Sequence, residues 1–361
     1  WGSMGHTGAF NFALFESNEL IKERVHVGLD TRIQWAHFGI PVKTMNSAGQ
    51  EVIEIPDFKA IPMQFQVNAG AQIKPGFSMY GGYNAGPKSY DGQLCDPVYP
   101  GMSCFEAGMQ GTVGAVSARA GMIQPHIGIR PDDHTTMVRS DAANHRKPII
   151  PPNYAELGGE IAYQPKSWFR MEVGTFNTKN LDKSLNQSTT TAKLWKAAYN
   201  ARVSFLPRLE FGGSKPSDDF DSDFDDDFDD TPPSRPIVLH TLVGASIYGS
   251  DAFQMINAFV GAGAQNGLEG RFEVSHSQRS GDYQSLNMSF AATWAIYDWL
   301  VPAIRLDRGR TMATQTFNTW QTVLGVEFFL MPGVEIRPEY RISRTDGYIF
   351  GQPTIQLHLF L

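Results

Sequence analysis

The 361-residue sequence has no run of 18 consecutive apolar residues, so it offers no helix able to cross a bilayer. Charged residues are scarce: 19%, against the roughly 25% usual in soluble domains. Catalytic signatures are missing too, with no G-x-S-x-G elbow, no H-E-x-x-H and no G-x-x-x-x-G-K-[ST] phosphate loop. Gly261 to Gly267 is glycine-rich but lacks dinucleotide spacing, and reads as a strand end and turn. The expectation is that the protein is not an enzyme. A signal peptide is also lacking, since Trp1-Gly2-Ser3-Met4 has neither a basic start nor an apolar stretch; an exported protein would then be read here as its mature chain. Cysteine is reduced to Cys95 and Cys104, nine apart in a Gly- and Pro-rich stretch. They can pair as a disulfide in an oxidising compartment, or stay as two reduced thiols. The net charge of -7 is local, because residues 218–230 hold nine aspartates and the rest of the chain carries 30 basic against 28 acidic residues. No broad basic surface is left for nucleic acid.

What is present is alternation. Val25, Val27, Leu29, Ile33 and Trp35 share one parity, while His26, Asp30, Arg32 and Gln34 share the other. Side chains of a strand alternate faces, so the segment has one apolar and one polar side. The same holds for Trp195, Ala197, Tyr199, Ala201, Val203 and Phe205 against Lys196, Asn200, Arg202 and Ser204. It holds for Leu286 to Ile296, and for Val334, Ile336, Pro338, Tyr340 and Ile342 against Glu335, Arg337, Glu339 and Arg341. Strands of soluble sandwiches usually stop at about 5–6 residues. Those here run to about twice that, as membrane strands of about 9–11 residues must. The fold class is therefore all-β, a closed antiparallel transmembrane barrel of about sixteen strands (14–18), with a soluble β-sandwich as the alternative.

Sixteen segments can be marked. Among them 108–123 reads as one strand and 126–130 as a short fifth strand, joined by a tight turn at Gln124-Pro125. Residues 1–24 then form an N-terminal segment on the periplasmic side or in the lumen, and 25–361 the barrel. Connectors alternate between tight turns, such as Lys74-Pro75-Gly76 and Met331-Pro332-Gly333, and longer loops such as 39–59, 87–107 and 131–154. Trp35, Trp168, Trp195, Trp294, Trp299 and Trp320 sit toward strand ends or on the apolar face, where interfacial girdles form.

With Arg337-Pro338-Glu339-Tyr340-Arg341 and the closing Thr354-Ile355-Gln356-Leu357-His358-Leu359-Phe360-Leu361, the chain resembles the sixteen-stranded bacterial outer-membrane porins. That resemblance implies short periplasmic turns, long extracellular loops, an outer-membrane location in contact with lipopolysaccharide, and a homotrimer. It also implies a third outer loop folded inward as a constriction, here 131–154 with Asp132, Asp133, Arg139, Asp141, Arg146 and Lys147. Polar parity places Arg32, Arg119, Arg170, Glu172, Arg202, Glu269, Arg271, Glu273, Arg305, Glu335, Arg337, Glu339 and Arg341 on the lumen wall. Inside a membrane such charges must face water or each other, and ladders of both signs filter polar solutes. The expected function is passive diffusion of small hydrophilic solutes or ions, with no cofactor.

The insertion 214–235 is different in kind. Asp221, Asp223, Asp225, Asp227 and Asp229 supply hard oxygen ligands that suit Ca2+ by composition only. Its phenylalanines could instead anchor a periplasmic protein, giving an alternative function: a structural barrel subunit that docks a partner complex. Solvated disorder is the third reading.

Overall fold

The computed structural model describes residues 9–10, 25–37, 42–45, 51–54, 58–85, 103–129, 140–141, 144–151, 154–185, 197–211, 237–279, 283–347 and 349–360. Sixteen strands of these close a barrel. They are β1 (Val25–His37), β2 (Phe58–Lys74), β3 (Phe77–Asn84), β4 (Phe105–Val113), β5 (Val116–Ile123), β6 (Glu156–Lys166), β7 (Phe169–Asn177) and β8 (Ala197–Phe205). The circuit continues through β9 (Ile237–Ser250), β10 (Phe253–Ala264), β11 (Leu268–Arg279), β12 (Gln284–Trp294), β13 (Leu300–Met312), β14 (Thr316–Met331), β15 (Val334–Thr345) and β16 (Ile349–Phe360). Every neighbouring pair is antiparallel, and β16 returns to β1 from Asp30↔Phe360 to Ala36↔Thr354. Closure leaves no open edge, which is the condition for a sheet in lipid, where an unpaired backbone group finds no water. Beyond the end of β16, Ala9 and Phe10 take its place beside Gly28 and Val27 of β1. After a break at Leu206-Pro207, β8 continues as Arg208–Phe211 against the start of β9.

Sidedness follows the alternation. On β9, Val238, Ser246 and Tyr248 are buried toward the interior, while Ile237 and Val243 are exposed outside. Phe65, Ile161, Ile256, Leu306 and Leu324 are likewise exposed, as lipid-facing side chains are in a lone chain. One rim carries tight turns. At the β2–β3 turn Gly76 has φ +77°, and a Cβ there would lie 2.8 Å from the Thr112 carbonyl oxygen, so that turn demands glycine. Trp168 and Phe205 stack with centroids 6.5 Å apart near this rim, and Tyr297 and Trp299 at 5.5 Å. The opposite rim carries the long β1–β2, β3–β4, β5–β6 and β7–β8 connections and shorter ones from β9–β10 onward, while the first rim has one long connection, between β8 and β9.

The strand count comes out as expected, but two of its parts do not. Residues 108–123 are two strands, β4 and β5, joined at Gly114-Ala115. Residues 126–130 form no strand among the described residues, and Gln124-Pro125 opens a long loop instead of a tight turn. The two errors cancel in the total. Period-2 reading merges strands when a turn is only two residues of small side chains, as Gly114-Ala115 is.

Candidate functional site: the lumen wall and its inward loop

The polar parity of the strands meets inside as paired charges. On one side Glu160 of β6 accepts from Arg119 Nε at 2.6 Å and from Asn200. Glu172 of β7 sits between Arg170 Nε at 2.7 Å and Arg202 Nη1 at 2.8 Å. The Arg202 guanidinium also stands over the Phe259 ring at 5.1 Å. Cross-strand register explains the grouping: Arg119 lies opposite Glu160, and Glu172 opposite Arg202. Across the barrel Arg337 pairs with Glu327 at 3.4 Å and Glu339 at 2.8 Å, Arg341 pairs with Glu339 at 2.6 Å, and Arg305 with Asp307 at 2.9 Å. Glu269 and Arg271 line a hollow together with Arg305, Glu327, Arg337 and Glu339. At the closing seam His358 bridges Asp30 at 3.1 Å and Glu335 at 2.9 Å, and Arg32 joins Asp30 at 3.3 Å.

The structure thus brings Arg119, Arg170, Glu172 and Arg202 into one group. Arg305, Arg337, Glu339 and Arg341 form a second with Glu269 and Arg271 beside it, and Arg32 and Glu335 lie at the seam. Sequence reading missed Glu327 and His358 as members, although their parity alone places them inside. It also missed His126, which was assigned to a strand.

His126 belongs to the connection between β5 and β6, and this loop turns into the barrel. His126 Nδ1 lies 3.0 Å from Glu160 Oε2 and 2.8 Å from Glu172 Oε1. Burial pulls its imidazolium toward neutrality, and Arg119 does the same. The contacts with Glu160 and Glu172 outweigh both and raise its pKa above the ordinary histidine value. The next residues reach further round the wall: Gly128 N donates to Ser246 Oγ of β9 at 2.9 Å, and Ile129 N to Glu273 of β11 at 3.3 Å. Gly128 has φ +63°, and a Cβ there would collide with the Glu273 carboxylate. Only glycine lets the backbone approach so closely.

Farther along, Ser140–Asp141 pairs with Asn144–Pro148 as a small hairpin, and its first strand lies beside β13, on the opposite side of the barrel from β5. The hairpin contains Asp141, Arg146 and Lys147; Asp132, Asp133 and Arg139 lie outside the described residues.

The loop's return limb is apolar. Ile149, Ile150 and Tyr154 are buried against Ile123, Phe176, Tyr248, Phe253 and Met255 of the wall and against Leu181 and Leu185. The last two belong to and follow a short helix, α1 (Lys179–Ser184), which begins the next loop. Tyr154 Oη and Tyr248 Oη are 2.6 Å apart, and Glu156 accepts the backbone N–H groups of Asn180 and Leu181 at 2.6 and 2.8 Å. Burial holds the Tyr154 phenol well above its usual range, so it stays a neutral hydroxyl. Ser184 Oγ closes the contact by donating to the Ile149 carbonyl at 2.6 Å.

Cys104, just before β4, is buried and disulfide-bonded. Cys95 is the only other cysteine and lies outside the described residues. So do 214–235, including Asp221, Asp223, Asp225, Asp227 and Asp229. The flanking Phe211 and Ile237 lie at the rim of the tight turns. Among the described residues no group of three or more His, Cys, Asp or Glu side chains is placed to hold a metal ion.

A closed sixteen-strand barrel with a loop folded across its interior can now be compared with known structures. The fold is that of the outer-membrane porins. OprB from Pseudomonas putida, in a high-pH structure, superposes with a TM-score of 0.56 at 10% identity, over 94% of this chain and 95% of that one. OmpT, an outer-membrane protein of Vibrio cholerae solved in a trimer form, gives 0.53 at 9% identity over 93% and 99%. No protein-family model matches the sequence, and no curated protein matches it. At these identities the porin-fold likeness speaks for architecture alone, and the chemistry of the site rests on the residues above.

Proposed function

We propose that the chain is a bacterial outer-membrane porin that lets small hydrophilic solutes or ions diffuse passively through a charged lumen, and that it works as a homotrimer like the trimer form of OmpT. The observation that carries this reading is the β5–β6 loop, which enters the barrel and is fastened to its inner wall by His126, Gly128 and Ile129. A barrel serving only as an anchor has no use for a loop held inside it among charges of both signs. Size exclusion at that loop and a transverse field between the Glu160–Glu172 and Glu327–Glu339 groups would sort solutes by width and dipole. In this reading the long-loop rim faces the exterior and the tight-turn rim the periplasm. Purified protein in planar bilayers should give reproducible single-channel steps. A folded barrel, identified by its heat-modifiable migration in electrophoresis, that never conducts would overturn the proposal.

A further inference from the structure

The outer face beneath the long loops is uncharged except at one place. Among the described strand residues of that half, the charged side chains that point outward are Arg308 and Arg310 of β13 and Arg344 of β15, all exposed. Register puts Arg308, Trp320 of β14 and Arg344 in a single row across three adjacent strands, with Arg310 one pleat nearer the rim beside Asn318. Arg308 lies over the exposed Trp320 ring at 4.3 Å, a cation–π contact that keeps its guanidinium at the barrel wall. None of the three makes an ion pair with a described residue, whereas Arg32, Arg119, Arg170, Arg202, Arg305, Arg337 and Arg341 inside all do. The nearest rim carboxylate of this stretch, Asp346, is engaged by the backbone and side chain of Asn318 at 2.8 and 3.3 Å.

An unpaired arginine on a lipid-facing strand is tolerated only near the interface, and it needs an anion there. Guanidinium forks fit phosphate oxygens, and an interfacial tryptophan beside them marks the headgroup level. We infer that Arg308, Arg310, Arg344 and Trp320 form a docking site for the phosphorylated headgroup of an outer-leaflet lipopolysaccharide. The inference rests on the membrane orientation proposed above.

The test uses the intact barrel in detergent with purified lipopolysaccharide, its dephosphorylated form, and phosphatidylglycerol vesicles as probes. Each arginine near a charged lipid surface is worth about fivefold in affinity, so the triple variant R308Q/R310Q/R344Q should bind lipopolysaccharide about 100-fold more weakly. The triple Lys variant should keep most of the affinity, and dephosphorylated lipid should bind wild type as weakly as the Gln variant. Removing charge from a lipid-facing surface leaves the barrel foldable, and heat-modifiable migration checks this. Equal binding by wild type and Gln variant, or equal binding of phosphatidylglycerol and lipopolysaccharide, overturns the site. Labelling of a Thr314→Cys variant in intact cells separates the premise: labelling from outside supports the orientation, and labelling only after the membrane is opened overturns it independently of any lipid result.

Discussion

His126 makes the fastening of the inward loop depend on pH. Its imidazole stands between Glu160 and Glu172, and Arg119 is the third charged group facing it. Its folded pKa is raised, so protonation favours the fastened loop. That stabilisation is complete below the ordinary imidazole value of about 6.5 and is lost as pH rises through the raised folded value. A hydrogen bond to a charged partner contributes about 1.5–3 kcal/mol, so neutralising His126 should shift the fastened-to-loose ratio of residues 124–129 by about 10- to 100-fold. The loop is loosened rather than expelled, because the Gly128 and Ile129 backbone bonds to Ser246 and Glu273 do not involve the imidazole. The assay is single-channel current noise in symmetric salt. Wild type should be quiet at pH 5.5 and noisy at pH 9, and His126→Ala should be noisy at both. Noise in His126→Ala that follows pH as in wild type would refute the reasoning, since the sensor would then be another group.

Other outcomes follow from single contacts. Glu172→Gln removes the negative charge shared by Arg170, Arg202 and His126; removing one partner of a buried ion pair costs about 3–5 kcal/mol, to be read as an earlier thermal transition, with the reversal potential moving toward anions. Gly128→Ala forces a left-handed backbone on alanine at about 1–2 kcal/mol and displaces Glu273 from Asn257 Nδ2, now at 2.9 Å. It should raise current noise at pH 5.5 while keeping the pH response. Tyr248→Phe removes one member of the Tyr154–Tyr248 pair and should cost about 1–3 kcal/mol in denaturant unfolding without changing conductance. Deleting residues 214–235 should leave conductance intact; loss of the channel steps would show that the insertion serves the pore.

The barrel was legible because its physics is local. A wall with lipid on one side and the lumen on the other fixes each strand residue by parity alone, and Arg32, Glu172, Glu273, Arg305 and Glu339 fall on the side that parity assigns. What parity cannot carry is the partner. Arg119 and Glu160 are 41 positions apart, and Ile129 and Glu273 are 144. Residues 126–129 alternate in sequence, yet the backbone N–H groups of His126, Gly128 and Ile129 bond to side chains of the wall rather than to a neighbouring strand. His126-Ile127-Gly128-Ile129 therefore imitates a strand in sequence while being a lining in space.

A signal for that lining does exist in the sequence. A water-filled lumen should be polar at every inward position, yet Phe176, Ala198, Tyr248, Phe253 and Met255 all occupy inward positions at the long-loop ends of β7 to β10. Five neighbouring apolar positions on a wall meant for water need a cover, because exposing them to the lumen gains nothing and burying each large one is worth about 1.5–3 kcal/mol. The cover has to come from the chain itself, from a connection at the same rim, and has to bring its own apolar side chains. Ile149, Ile150 and Tyr154 on the return limb of the β5–β6 loop, with Leu181 of α1, meet those terms. The inward fold of the loop is thus held at two unlike places. One is a charged fastening at His126 that pH can loosen, and the other an apolar seat at Tyr248 that it cannot, which Ile127 of the first limb shares with the return limb. An Ile149→Asp substitution should unseat the return limb at every pH, whereas His126→Ala should loosen the charged fastening and leave Ile127 in the apolar seat. Identical noise spectra from the two variants at pH 5.5 would mean that the loop moves as one body and that the two fastenings are not independent.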